Sequence, residues 1–346
     1  MALLNDAVIP SGSTILVTGV NGFVGSHIAN DLLNHGYKVR GTVRDIHRHT
    51  WLIELFTERY GDGKFELVVV KDMAEASAFD NAIKGVAGVA HVAAHVTMQN
   101  DLHAVSKANI SGTLNALEAA AKEPSVLRFV FTSTSLAVRQ NEEFEDLRPV
   151  AADEYNETAI ELAKSLPDSQ TQMEKGLTVY AAAKAETEKA LWGWVQQNKP
   201  RFVVNSVIPP GILGRPISVQ HQGYPSFSGF LVNFFKREPG LLDVLHRFYF
   251  TSVQDIARLH VAGLIHPKAE SRRIFAFGGT CTVNDVLAIF KDMCPDRRFP
   301  DYIPGLDHNL ALIEPRSEAE ALLRDLGRPG FDSLAEAVKQ TISELI

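Results

Sequence analysis

The chain has only two cysteines in 346 residues, Cys281 and Cys294, and no C-x-x-C pair. A disulfide scaffold and a structural zinc site are both excluded by that count, and a reducing compartment fits it. Long apolar runs are lacking too: none approaches the ~18 residues of a membrane span. MALLNDAVIPSGS, at the start, carries an acidic residue where a secretion signal is basic. The expectation is a soluble, cytoplasmic protein. Positive charge is also scarce. Lys and Arg number 34 against 41 Asp and Glu, a net charge of -7, and no basic stretch stands out. A nucleic-acid partner is therefore not expected. His91 and His95, and His47 and His49, have no convergent ligands at metal spacing, so no metal is expected either.

What is present is an alternation. Short β-branched runs, TILVTG (14–19), YKVRGTV (37–43), FELVVV (65–70), GVAHVAA (88–94), RFVFTST (128–134) and FVVNSVIPP (202–210), are separated by helical patterns, notably 22–34, 101–123 and 175–198. Near-continuous apolar runs belong to strands covered on both faces, and strands joined by crossover helices form a parallel sheet. The predicted fold is α/β, a doubly wound parallel (Rossmann) sheet with a smaller C-terminal lobe. The Rossmann unit is assigned to 1–208, rejoined by 248–268. Residues 209–247 and 269–346 are assigned to a substrate-binding lobe. Residues 211–247 are rich in Gly, Pro and aromatics and lose the regular pattern; Tyr224, Phe227, Phe230, Phe234 and Phe235 there are either lobe core or pocket lining. Ser252 and Asp255 have capping-box spacing before 253–265.

Between the first strand and first helix, Gly19, Gly22 and Gly25 fall in G-x-x-G-x-x-G spacing. Gly19 suits a tight turn, Gly22 lets backbone N–H groups approach a pyrophosphate, and Gly25 permits close packing, with the helix N-terminus facing the phosphates. The end of the second strand selects the dinucleotide. A carboxylate there binds the ribose of NAD, and an arginine accepts the 2′-phosphate of NADP. Val43 holds the carboxylate's place, Arg44 follows and Arg40 is near, which favours NADP(H), although Asp45 adjoins Arg44 and either could be solvated. Asp72 and Met73, past the third strand, fall where an adenine edge would be met.

VYAAAKAETEKA (179–190) sets Tyr180 one turn before Lys184. At 3.6 residues per turn Ala183, Lys184, Thr187, Leu191, Trp194 and Val195 share Tyr180's side, and Glu186, Lys189 and Gln196 the other. Burial of Leu191 and Trp194 turns Lys184 inward, where a lone ammonium is costly and needs a polar partner. A tyrosine and a lysine four apart also meet by chance on surface helices, so the glycine turn is the second signal that gives the pair meaning.

TGVNGFVG, FTSTS and YAAAK together resemble the extended short-chain dehydrogenase/reductases. KVRGTVRD, KGVAGVAHVAA, SGTLNALEAAAKEPSVLRFVFTST, FTSVQDIARLHV and LGRPGF resemble the dihydroflavonol- and cinnamoyl-CoA-reductase-like branch, most of all its fungal NADPH-dependent carbonyl (aldehyde) reductases. This resemblance spans nearly the whole chain. It implies Tyr180 as the general acid toward a substrate carbonyl, and Lys184 as the partner of the nicotinamide ribose that depresses the tyrosine pKa. The third member is usually the second residue of T-S-S. Here TST puts Thr134 there, with Ser133 as a competitor. Asn109 is implied as the holder of a relay water or else as an ordinary polar helix residue. Further implied cofactor contacts are Thr18, Phe23, Val24, Ala93, Ala94, Thr132, Pro209, Gly211 and Ile212, and implied substrate contacts are Val96, Met98, Leu136, Pro210, Tyr224 and Phe227.

The reaction expected from this set is NADPH-dependent reduction of a ketone or aldehyde with an apolar or aromatic body, including keto esters, to a chiral alcohol. Two rivals share parts of the signature. A nucleotide-sugar epimerase or dehydratase needs polar groups for a second nucleotide; 211–247 offers Arg215, Lys236 and Arg237 but is mainly apolar. A non-catalytic NADP sensor needs the glycine turn but not the Tyr180–Lys184 pair.

Overall fold

A computed structural model of the chain describes residues 4, 6–96, 100–140 and 145–346. Its strands are β1 (Thr14–Thr18), β2 (Lys38–Val43), β3 (Phe65–Val69), β4 (Gly88–His91), β5 (Arg128–Thr132), β6 (Val203–Ile208), β7 (Gly211–Leu213), β8 (Arg247–Ser252), β9 (Arg273–Phe275) and β10 (Gly279–Thr282). Seven form one sheet in the order β3-β2-β1-β4-β5-β6-β9, every pair parallel. The order reverses direction beside β1, the place where open α/β sheets bind ligands.

Helices α1 (Phe23–Asn34), α2 (Thr50–Tyr60), α3 (Leu102–Lys122), α4 (Glu157–Ala163) and α5 (Gln172–Asn198) precede α6 (Val219–Gln222), α7 (Ser226–Lys236) and α8 (Val253–Ile265). The chain closes with α9 (Val283–Met293), α10 (Arg316–Asp325) and α11 (Leu334–Ile342). Alternate residues of each strand feed opposite cores, as the pleat requires. Ile15, Val17 and Val130 pack with α1, α8 and α10, while Leu16, Phe129 and Phe131 pack with α3 and α5. Both faces are covered, which is why these strands read as unbroken apolar runs.

The second lobe is a three-stranded sheet, β10-β8-β7, under α7, α9 and α11, with Phe235, Phe248, Phe250 and Phe290 at its centre. Here the expected boundaries shift. β8, assigned by sequence to the returning Rossmann segment, pairs with β7 and β10, and β9, assigned to the lobe, is the seventh strand of the large sheet. Both are short apolar strands, and periodicity carries no information about which sheet a strand joins. The segment 211–247 is also not irregular: it holds β7, α6 and α7, the last hidden by its density of Phe, Ser and Gly. Ser252 caps α8 by accepting from Asp255 N–H at 3.0 Å, but the reciprocal half of the box is missing, because Asp255 turns to Arg258 and to the Asp332 N–H.

Candidate active site

Helix α5 opens on a capping box between Thr171 and Glu174 and carries Tyr180 and Lys184 across the C-terminal end of β5. Its alanines have a purpose. Ala181, Ala182 and Ala185 are fully buried against α3 and α4, so the helix is enclosed on both sides in this stretch rather than amphipathic. Lys184 is 4% exposed; its Nζ donates to the Thr132 carbonyl oxygen at 2.6 Å and lies 4.3 Å from the Phe131 ring centroid. Burial lowers its pKa to about 8, against an opposing pull from the Glu188 carboxylate. Tyr180 is half-buried, and the Thr134 side chain is close enough to act on its phenol. Burial raises the phenol pKa and Thr134 pulls it the other way, so the depression expected from Lys184 is not what this site has: the net shift is upward.

Ser133, the competitor, points elsewhere. It is 3% exposed and donates to Glu188 at 2.7 Å. Glu188, one turn beyond Lys184 and fully buried, also accepts from Ser206 at 2.6 Å and from Arg273 Nε and Nη2 at 2.9 and 3.0 Å. Burial alone would raise its pKa, but Arg273 and the two serines bring it below the ordinary carboxylate value.

At the glycine turn, Gly19 has φ +63°, and a Cβ there would lie 3.1 Å from Ala93 Cα. A Cβ on Gly25 would be 2.4 Å from the Gly19 carbonyl oxygen, so α1 packs on the turn itself. Gly22 caps α1, and a Cβ there would meet only Gly19 O, at 3.3 Å, leaving open space before the helix N-terminus. That cradle fits the pyrophosphate of a dinucleotide. Thr18 Oγ1 accepts from the Val92 and Ala93 N–H groups, both at 2.9 Å, and lies 3.1 Å from His91 Nδ1. Its one proton therefore goes to His91 Nδ1. His91, fully buried with its pKa lowered to about 3 by desolvation and by Lys184, is neutral and carries its proton on Nε2. β4, which ends on His91, lies between β1, which leads into the glycine turn, and β5, whose Thr132 carbonyl accepts from Lys184.

Arg44 is exposed at the end of β2 and forms no ion pair among the described residues, while Val43 is 3% exposed. The Asp72 carboxylate accepts from Ala74 N–H at 2.9 Å, and Met73 packs toward Gly112 of α3. Phe23 is buried with its ring edge toward His27, and Val24 packs on the same core. Thr132 gives its carbonyl to Lys184 and its hydroxyl to His260. Pro209 O accepts from Ser135 N–H at 2.8 Å, and Pro210 is half-buried. Ile212 is buried in β7, and a Cβ on Gly211 would lie 3.0 Å from the Phe227 ring. Ala94 is half-buried and Val96 is 60% exposed in the loop after β4; Met98 lies outside the described residues. Leu136 follows Thr134, its N–H 3.4 Å from the threonine oxygen. Asn109 is not exposed: it is 4% exposed, its Oδ1 accepts from the His95 N–H, and its Nδ2 donates to the His95 and Val105 carbonyls. Phe227 and Phe235 serve the lobe core, and Tyr224 lies near the Arg215–Glu344 ion pair. A separate groove of about 1080 Å³ on the Glu186–Lys189 side of α5 shares no residue with the Tyr180–Thr134 cluster.

Residues 15–278 match the model of the NAD dependent epimerase/dehydratase family. The chain belongs to that family. Among its curated relatives it is 40% identical to "Aldehyde reductase 2" of Sporidiobolus salmonicolor, over 99% of this chain and 98% of that one. It is 34% identical to "Ketoreductase nvfG" of Aspergillus novofumigatus, over 97% of each. The crystal structure of Gre2 from Candida albicans, in complex with NADPH, shares the fold with a TM-score of 0.81 at 22% identity, over 97% of this chain and 98% of that one. Within this epimerase/dehydratase frame, sequence reasoning overlooked Glu188 and Arg273. Glu188 stands at i+4 from Lys184, the spacing that had paired Lys184 with Tyr180, and that signal was available. Its partner Arg273 lies 85 residues further on, and no local pattern points to it.

Proposed function

We propose that the protein is an NADP(H)-dependent carbonyl reductase that converts an apolar or aromatic ketone or aldehyde to a chiral alcohol. The carrying observation is the gathering of Tyr180, Lys184 and Thr134 at the C-terminal end of β5: Lys184, one helical turn after Tyr180, donates to the carbonyl of Thr132, two residues before Thr134, and the Thr134 side chain acts on the Tyr180 phenol. A reduced nicotinamide, when bound, supplies the hydride. The chain's own residues handle the proton. Tyr180 donates its phenolic proton to the carbonyl oxygen, Thr134 gives that oxygen a second hydrogen bond, and the nearby positive charge of Lys184 stabilises the phenolate left behind. Gly19, Gly22 and Gly25 form the pyrophosphate cradle, and unpaired Arg44 suits a 2′-phosphate, supporting NADPH over NADH.

The names of the aldehyde reductase and ketoreductase relatives support this reading. So does the lobe. Of the polar groups a nucleotide sugar would use, Arg215 is already paired with Glu344, and the region's aromatics are built into apolar core. The two cysteines are free, which supports a reducing compartment, and we assign the protein to the cytoplasm. Among the described residues no helix is long and apolar enough to cross a membrane.

The test mixes purified protein with NADPH or NADH and a panel of aromatic ketones, keto esters and nucleotide sugars while nicotinamide absorbance is followed. Consumption of NADPH with the carbonyls, abolished in Tyr180→Phe, is expected. Full activity of Tyr180→Phe would remove the proposed acid.

A further inference from the structure

The second lobe reaches the cofactor turn through α6. Gln222 Nε2 donates to the Asn21 carbonyl at 3.1 Å and to Ser26 Oγ at 3.0 Å, tying α6 to the turn and the first helix. Just ahead of α6, the Arg215 carbonyl accepts from His27 Nε2 at 2.9 Å. Next to Gln222, the His221 ring lies flat on Trp51, with centroids 4.7 Å apart and planes 3° from parallel. Trp51 is the second residue of α2, so this stack holds His221 over the loop that follows β2.

That loop is basic. Burial lowers the His49 pKa, and Arg48, Arg44 and His221 push it the same way against Asp45 alone. Asp45 already accepts from the His47 N–H at 2.9 Å, and neither Arg44 nor Arg48 forms an ion pair among the described residues. His49 Nδ1 is buried without a hydrogen-bond partner. Arg44, Arg48 and His221 all act on His49, whose ring nitrogen is unmet, and such an excess of basic groups over one carboxylate suits an anion with several acceptor oxygens. The cluster adjoins the dinucleotide cradle, since Gly19 N–H donates to Thr42 Oγ1 at the end of β2, at 3.1 Å.

We propose that His221, delivered by the second lobe, is a cofactor-specificity residue that joins Arg44, Arg48 and His49 in binding the 2′-phosphate of the dinucleotide. The inference rests on the NADP(H) reading above. It gives α6 a role as the part of the substrate lobe that senses which dinucleotide is bound.

The experiment titrates 2′,5′-ADP and 5′-ADP into the full-length protein by calorimetry, with His221→Phe as the variant. Phenylalanine keeps a flat ring on Trp51 and removes the imidazole N–H donor. The expected result is a roughly tenfold loss of 2′,5′-ADP affinity, the size of one charge-assisted hydrogen bond, and unchanged 5′-ADP binding. Unchanged affinity for both nucleotides, or equal weakening of both, overturns the assignment of His221. If the wild-type protein itself binds the two nucleotides equally, it is the NADP(H) reading that fails.

Discussion

Ser133 and Thr134, neighbours at the end of β5, turn to different sides: Ser133 donates to the buried Glu188 carboxylate at 2.7 Å, and the Thr134 side chain lies toward the Tyr180 phenol. One is built into the scaffold, and the other is the one proposed to meet the substrate. Thr134→Val keeps the shape and removes the donor, so kcat is expected to fall roughly 100-fold, the usual cost of losing one oxyanion donor. Thr134→Ser keeps the donor and should retain most activity. Ser133→Ala should lower stability by about 1–3 kcal/mol, because a buried acceptor loses a partner, with kcat little changed. Steady-state kinetics and urea unfolding on the three variants separate these roles. Comparable kcat losses in Ser133→Ala and Thr134→Val would undo the division.

Glu188 joins α5, β5, β6 and β9 through Ser133, Ser206 and Arg273, and Arg273 also stacks over Tyr155 at 4.2 Å. Glu188→Gln leaves the Arg273 side chain, 8% exposed, without its counter-charge. Breaking such a pair on one side typically costs about 3–5 kcal/mol. The double variant Glu188→Gln/Arg273→Met should lose less than the single one. A double-mutant cycle in urea checks this, and simple additivity would mean that the two residues are not coupled.

For Lys184, the folded pKa of about 8 lies below its ordinary 10.5, so the fold favours the neutral form and carries the charged one at a cost. Carbonyl reduction uses the charged form and is expected to decline as pH rises through about 8, with the decline moved to lower pH in Glu188→Gln, where the charge that raises the lysine pKa is gone. Stability has the opposite sign. It should rise with pH between about 8 and 10.5, and Lys184→Met should stabilise the protein at pH 7 by up to roughly 3 kcal/mol while abolishing activity. A pH-rate profile flat from 7 to 10 would contradict the assignment.

Much of this site is legible in the sequence because its signals are local. Tyr180 and Lys184 are one turn apart, and Gly19, Gly22 and Gly25 lie within one strand-turn-helix unit, so periodicity and spacing suffice. What escaped is non-local. The sheet that β8 and β9 each join depends on packing between distant segments, and short runs such as RFYFTS and RIF read alike. The partners of Glu188 come from three other strands or strand ends, and the attachment of α6 to Asn21 and Ser26 spans about 200 residues. Asn109 was misjudged because a polar residue on a helix looks exposed until the loop it holds is known.

Three histidines set the acid limit of the fold. His91 and His260 are fully buried and His27 is 8% exposed, and desolvation lowers their pKa values to about 3, about 4 and about 4. His260 illustrates why they stay neutral: Nδ1 donates to the Ile256 carbonyl at 2.8 Å and Nε2 accepts from the Thr132 hydroxyl at 2.7 Å, so both nitrogens are satisfied with one proton. The unfolded chain binds these protons near pH 6.5 and the folded one does not, so stability is present above 6.5 and is lost as pH falls toward about 4. Each histidine contributes a slope of about 1.4 kcal/mol per pH unit in that window, and the three together roughly 4. His260→Asn places an amide where the Nδ1–H stood and does not titrate, so its stability should fall less steeply between pH 6 and 4.5 than that of the wild-type protein, by about 1.4 kcal/mol per pH unit. Urea unfolding at half-unit pH steps measures it, and an unaltered slope would mean that His260 is already protonated in the folded protein.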